Sequence, residues 1–441
     1  MPRDGCQLLI AGLLVLALPA IAQDRFILRP SAQGEITELA LQHALTVIQP
    51  LDSNRQVYLV TSSDSRTPDE VEKEVGSDVG VVGIEVDQRA AVPELSQTTA
   101  AILDGLPAAS AVTYYGVPVL GAYLSQTAAS LIRISDAQST FGTTGAGMVA
   151  IIDTGIDPTH PGLQGSIVPG YDFVNDIPGS ASEWIDLTST NRDVLSKSSP
   201  VITSKNTVAM VSQTTAAILD QTTAAILDYR HMPKAFGHGT MVAGIVHLTA
   251  PTAQIMPLKA FRGDGTANLS DILRAIYYAS DHGARVINMS FNLVTPSIEL
   301  EGAIDYAEGK GLICVASAGN TGTASVGSPA NLPYVIGVAS TTSLDQRSTF
   351  SSYDAGVFVA APGENVITTY PGRNYAEATG TSFSAPFVSG TASLTVQLNN
   401  LIGFEDSSAA IGNAKSLPPS LGLGHGRLDV YQAVQFAAQK Q

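Results

Sequence analysis

Four polar residues interrupt stretches that are otherwise apolar or glycine-rich, and their types are those of acyl transfer. Asp153 closes the run MVAIID, His238 sits in GHGTMVAG, Asn320 closes ICVASAGN, and Ser382 sits in ATGTSFSAPFVSG. A serine hydroxyl is a weak nucleophile until a neighbouring base takes its proton, and histidine does this near neutral pH. A carboxylate held partly out of water fixes the histidine's tautomer and stabilises its cationic form. A side-chain amide can donate to the oxyanion as it develops. A glycine turn feeds a helix at Ser382, which puts the hydroxyl at the positive end of a helix dipole.

These groups need a scaffold that ends its strands in one place. From Thr140 onward the short apolar runs GMVAIID, AQIMPLKAF, ARVINMSF, GLICVASAG and YVIGVAS alternate with helical stretches such as SDILRAIYYASDHG and SIELEGAIDYAEGKG. That alternation predicts an α/β domain, a mainly parallel central sheet covered on both faces in three layers. Ligands of such sheets lie at the carboxyl ends of the strands, and the four polar residues follow apolar runs. Upstream, RFILRP, RQVYLVTS and VVGIEVDQ read as strands. ITELALQHALTVI reads as an amphipathic helix, and TPDEVEKEV opens a second one. Residues 24 to about 92 therefore predict a small α+β, ferredoxin-like sandwich. The Ala/Thr/Ser-rich stretch from about 91 to 116 reads as a linker.

The octapeptide QTTAAILD occurs twice in tandem at Gln213–Asp228 and once more at Gln97–Asp104. The tandem lies in an insert from about 178 to 236, just ahead of His238. Its composition favours helix, with Ser212 as a cap, although Thr and Ile also permit a hairpin. A duplication tolerated on a surface is the plainer reading. Packing between like copies is the sharper one.

The net charge is −16, of which −8 falls in residues 23–110, where 14 acidic residues face 6 basic ones. Such a chain is a poor partner for nucleic acid or an anionic membrane. Residues 1–22 carry Arg3, an apolar run from Leu8 and the small-x-small site Ala20-Ile21-Ala22. This predicts a cleaved signal peptide and a secreted product, extracellular or periplasmic. Cys314 is then the one remaining cysteine, expected as a small buried core residue.

IIDTGID, GHGTMVAG and GTSFSAP, in that order, resemble the three signature segments of the subtilisin-like serine proteases. VINMSF, VASAGN, FVAAPG and GHGRLDVYQAV extend the resemblance from about Ala128 to the end. It implies a serine endopeptidase with Asp153 as orienting acid, His238 as general base, Ser382 as nucleophile and Asn320 as oxyanion donor. It implies a catalytic domain over 116–441, preceded by an inhibitory propeptide and linker over 23–115 that the enzyme removes itself. The implied partners are polypeptide substrates and the propeptide, and the implied form is a monomer. Leu269 with its neighbours, and Ser290-Phe291-Asn292, would line the cleft and pair with an extended peptide. Ser290, Asn292, Ala316, Ser317 and Ala318 would form the first specificity pocket. The family usually has glycines after the serine of NMS; here Asn292 and Leu293 bring side chains. No cofactor is implied for catalysis. A structural calcium ion is compatible with the family at a site the motifs do not specify. HPGL stands where HPDL is usual, so Gly162 supplies no ligand.

Other readings explain less. One DTG without a second requires a dimer to make an aspartic protease. An α/β-hydrolase would use Ser382, Asp406 and His425, but GTSFS departs from G-x-S-x-G, and Asp153 and His238 would have no role. No HExxH motif occurs. A binding protein on an inactive protease fold is the alternative from a different class, and the presence of all four reactive parts argues against it.

Overall fold

The computed structural model describes residues 24–92, 99–102, 111–197 and 233–440, apart from Gln33, Ser53 and Val294. The chain divides between Val86 and Asp87 into two compact units. The smaller holds β1 (Arg25–Pro30), β2 (Leu45–Asp52), β3 (Val57–Ser62) and β4 (Val81–Val86) in one antiparallel sheet of order β2-β3-β1-β4. Helices Ile36–Gln42 and Pro68–Val75 complete the ferredoxin-like βαββαβ order. Phe26, Leu28, Val60, Val71 and Val75 form its core. The second helix starts on a capping box, with Thr67 accepting from the Glu70 amide and Glu70 accepting from the Thr67 amide. The first helix is shorter than its periodicity predicts. The chain turns at His43 and Ala44, where Ala44 takes φ +52°, and LTVIQPLD continues as β2. The β-branched run Thr46-Val47-Ile48 suits a strand better than another helical turn.

The larger unit is built on an eight-stranded sheet. It contains β9 (Met148–Asp153), β10 (Tyr171–Asp172), β11 (Ile177–Pro178), β12 (Gln254–Lys259), β14 (Val286–Met289), β15 (Ile313–Ser317), β16 (Val335–Thr341) and β17 (Val359–Pro362). The order is β11-β10-β12-β9-β14-β15-β16-β17, and only the edge pair β10–β11 is antiparallel. Helices His238–Thr249, Leu269–Asp281, Ile298–Gly309 and Thr381–Leu398 follow strands of this sheet or turns beside it. Ile151, Val242, Ile245, Val315, Val338, Phe387 and Val388 belong to one continuous buried cluster with it. Cys314 is buried in β15, and burial pushes its thiol up to about 12, as expected of a core residue.

Short strands occur at and within the stretch read as a linker: β5 (Arg89–Ala91) at its start, then β6 (Thr99–Ile102) and β7 (Ala111–Tyr114), the last paired with β8 (Val117–Leu120). β5 pairs antiparallel with β13 (Thr266–Asn268). β6, which lies in the upstream QTTAAILD copy, pairs antiparallel with β19 (Asn374–Thr379), itself paired with β18 (Val366–Tyr370). The tandem copies at Gln213–Asp228 lie outside the described residues.

Candidate active site

Asp153 is the last residue of β9, buried between β12 and β14. His238 is the first residue of its helix, and its backbone is forced close to neighbouring chain. Gly237 adopts φ +93°, and a Cβ there would stand 2.4 Å from the Tyr370 ring. A Cβ on Gly239 would stand 2.0 Å from the Gly155 carbonyl oxygen. The histidine Nδ1 lies 2.7 and 2.9 Å from the two Asp153 carboxylate oxygens, and both side chains are fully buried. A carboxylate can only accept, so Nδ1 donates, and in the neutral ring the lone pair is on Nε2. Nε2 has no hydrogen-bond partner among the described residues.

Ser382 is the second residue of the helix Thr381–Leu398, which is buried along almost its whole length. Pro386 has no N–H to donate to the Ser382 carbonyl. The Ser290 hydroxyl donates to that carbonyl instead, at 3.0 Å, and the Ser382 hydroxyl donates back to the Ser290 carbonyl at 3.3 Å. The nucleophile candidate is therefore held on Ser290 and not on His238. The histidine ring packs 5.6 Å from the ring of Phe383, the next residue. Asn320 follows β15 by three residues. Its Oδ1 accepts from the Thr381 amide at 2.9 Å and the Thr381 hydroxyl at 2.7 Å. Its Nδ2 is buried and has no partner among the described residues.

One buried carboxylate has no motif to announce it. Glu183 accepts from the Gly237 amide at 2.7 Å, from the Thr240 hydroxyl, and from the Thr154 hydroxyl at 3.4 Å. It thus ties residues on both sides of His238 to the residue after Asp153. Burial pushes its carboxyl well above the usual range, against the opposing effect of the Thr240 and Gly237 donors. Lys259, also buried, donates to the carbonyls of Thr154 and Phe261 at 2.7 and 2.9 Å and pairs with Asp186 at 2.5 Å. The short helix-like turn EWID, lying in the insert, carries no period or spacing from which this role could be read.

Of the expected cleft residues, Leu269 is a buried helix residue, and the strand beside the cleft is β13, just before it. Phe291 is buried against Phe261, ring to ring at 5.0 Å. Ser290, Asn292, Ala316, Ser317 and Ala318 do come together, because β14 and β15 run parallel with Met289 opposite Ala316. An extended strand already runs between the two cleft segments. β5 pairs with β13, Ala91 also bridges Asn292 in antiparallel sense, and the Val92 amide donates to the Gly265 carbonyl.

The subtilase-family model matches residues 145–426. The chain belongs to the subtilase family. This subtilase is 33% identical over 293 residues to the thermophilic serine proteinase of Bacillus sp. (strain AK1), an alignment covering 65% of this chain and 61% of that protein. It is 31% identical over 300 residues to thermitase of Thermoactinomyces vulgaris, covering 65% and 88%. Its fold matches that of fervidolysin from Fervidobacterium pennivorans, a keratinolytic enzyme related to subtilisin. The TM-score is 0.68 at 21% identity, over 94% of this chain and 61% of that one.

The other candidate groups of the subtilase are engaged elsewhere. His425 packs on Phe358, and Asp406 pairs with Lys440 at 3.2 Å. His160 accepts from the Gly162 amide and shares a hydrogen bond with the Asn374 carbonyl. Among the described residues, no group of three or more His, Cys, Asp or Glu side chains could hold a metal ion. No described helix is long and apolar enough to cross a membrane.

Proposed function

We propose that this subtilase is a secreted serine endopeptidase working through Asp153, His238 and Ser382, and that it frees itself from residues 23 to about 115. His238 Nε2 takes the proton as Ser382 Oγ adds to a peptide carbonyl. Asn320 Nδ2 donates to the oxyanion. The intermediate expels the amine, which takes the proton back from His238, and leaves an ester on Ser382. Water repeats the sequence and releases the acid. The observation that carries this reading is the Asn320 amide. Its oxygen is fixed by two donors from the residue next to Ser382, while its buried N–H₂ has no partner among the described residues. An idle buried donor is costly, and that cost makes sense if it serves a charge that appears only during reaction.

Inhibition by the chain's own leader is supported by β5, which takes the place between β13 and Asn292 that a substrate strand would take. Export is supported by the signal-like residues 1–22 and by the single, buried cysteine left after them. Expression of the full chain tests the proposal. Wild type should shorten by the N-terminal segment and then hydrolyse peptides, while Ser382→Ala should keep its full length past the signal. Processing of Ser382→Ala in a protease-free host would refute self-cleavage.

A further inference from the structure

We propose that Asn292 closes the first specificity pocket, so that this subtilase cuts after glycine, alanine or serine and rejects large side chains. The inference rests on the endopeptidase reading above. The side chain of the attacked residue must enter beside the Ser382 hydroxyl, which sits on the Ser290 carbonyl, and beside Asn320. That places it between the segments running on from β14 and β15. Asn292 crosses this gap. Its Nδ2 donates to the Ser317 carbonyl at 3.0 Å. A Cβ built on Gly319 would stand 3.3 Å from Asn292 Oδ1, and one on Gly327 3.6 Å from its Nδ2. The amide therefore lies among Ser317, Gly319 and Gly327, tied to one wall.

Two polar atoms of these segments are left over. Asn292 Oδ1 and Ser317 Oγ are both buried without a hydrogen-bond partner among the described residues. A leucine or phenylalanine side chain would have to displace the amide and break the Asn292–Ser317 bond, and it would bring no donor to either atom. A hydrogen or methyl group fits without either penalty, and a serine hydroxyl has Oδ1 as an acceptor. Size exclusion and polarity thus act in the same direction, which is how a pocket discriminates strongly.

The test is a set of peptides with fixed flanks and Gly, Ala, Ser, Leu or Phe at the attacked position, turned over by mature wild type, Asn292→Gly and Asn292→Ala. Wild type should favour the three small residues over Leu and Phe by at least about 10-fold in kcat/KM. Either variant should raise the Leu and Phe values relative to Ala by roughly 10- to 100-fold. Asn292→Ala keeps Cβ and serves if the glycine variant folds poorly, and the wild-type preference needs no substitution. Labelling of Ser382 by a serine-directed phosphonate is read alongside. A wild type that prefers Leu or Phe, or variants that label normally with unchanged ratios, would overturn the pocket assignment alone. No turnover of any peptide and no labelling would overturn the endopeptidase reading and this inference with it.

Discussion

At the residue scale, the candidates Asp153, His238, Asn320 and Ser382 stand out in the sequence because each ends an apolar run or opens a helix in a short, dense motif. The local geometry then explains why those motifs are small-residue-rich, since Gly237 and Gly239 stand where no Cβ fits. Asn320→Ala should lower kcat by about 10²–10³ with KM little changed, the range found for removing such a donor in the relative subtilisin. Steady-state kinetics on one peptide decide it, and an unchanged kcat would remove Asn320 from the oxyanion site. Glu183 was not legible, because a lone acid in an insert has no spacing partner in sequence. Its contacts predict that Glu183→Ala costs about 1–3 kcal/mol in urea unfolding, since the Gly237 amide and Thr240 hydroxyl lose their acceptor. Glu183→Gln should be milder, because it keeps one oxygen acceptor in place and removes a charge that burial disfavours. Equal losses in both variants would show that the retained oxygen acceptor does not matter.

At the element scale, the strands of the parallel sheet were legible as apolar runs, and the helices between them as periodic segments. The errors fell where a few residues decide the conformation. Ala44 turns the chain into β2 with no glycine or proline to signal it. β5 and β6 are strands because a partner strand is present, not because RAA or TAAI demands it. The helix His238–Thr249 also carries His247, whose Nδ1 lies 3.3 Å from the Tyr123 hydroxyl. Burial lowers the folded-state value of His247 to about 4, and likewise that of nearby His160, where the Asn374 carbonyl and Asp157 partly oppose it. The unfolded chain therefore binds more protons between pH 4 and about 6.5. Stability should be fully present above that window and fall through it on acidification, by up to roughly 1.4 kcal/mol per pH unit for each histidine. Urea melts across the window should show this slope, and His247→Leu should reduce it by about one proton. A slope unchanged by the substitution would show that His247 is not a buried neutral histidine.

At the scale of the whole molecule, the acidic composition and the two-unit organisation were legible, while the boundary between Val86 and Asp87 was not, because it depends on where β5 finds a partner. The insert divides into parts with different consequences. Ala181 to Leu187 and Pro233 to Phe236 flank His238 through Glu183 and the Ala235–Gly263 backbone bond. Removing one octapeptide, Gln213–Asp220, leaves both flanks and one intact copy, so kcat/KM should stay within a few-fold of wild type. A folded deletion variant without activity would make the repeat part of the machinery. In the proposed mechanism these elements converge to make Ser382 a nucleophile served by His238. The most direct measurement is phosphonate labelling of mature protein, with the adduct located by peptide mass spectrometry in wild type and in folded His238→Ala. One adduct is expected, on Ser382, formed quickly in wild type and nearly abolished in the variant. An adduct on another residue, or equally fast labelling of Ser382 without His238, would contradict it.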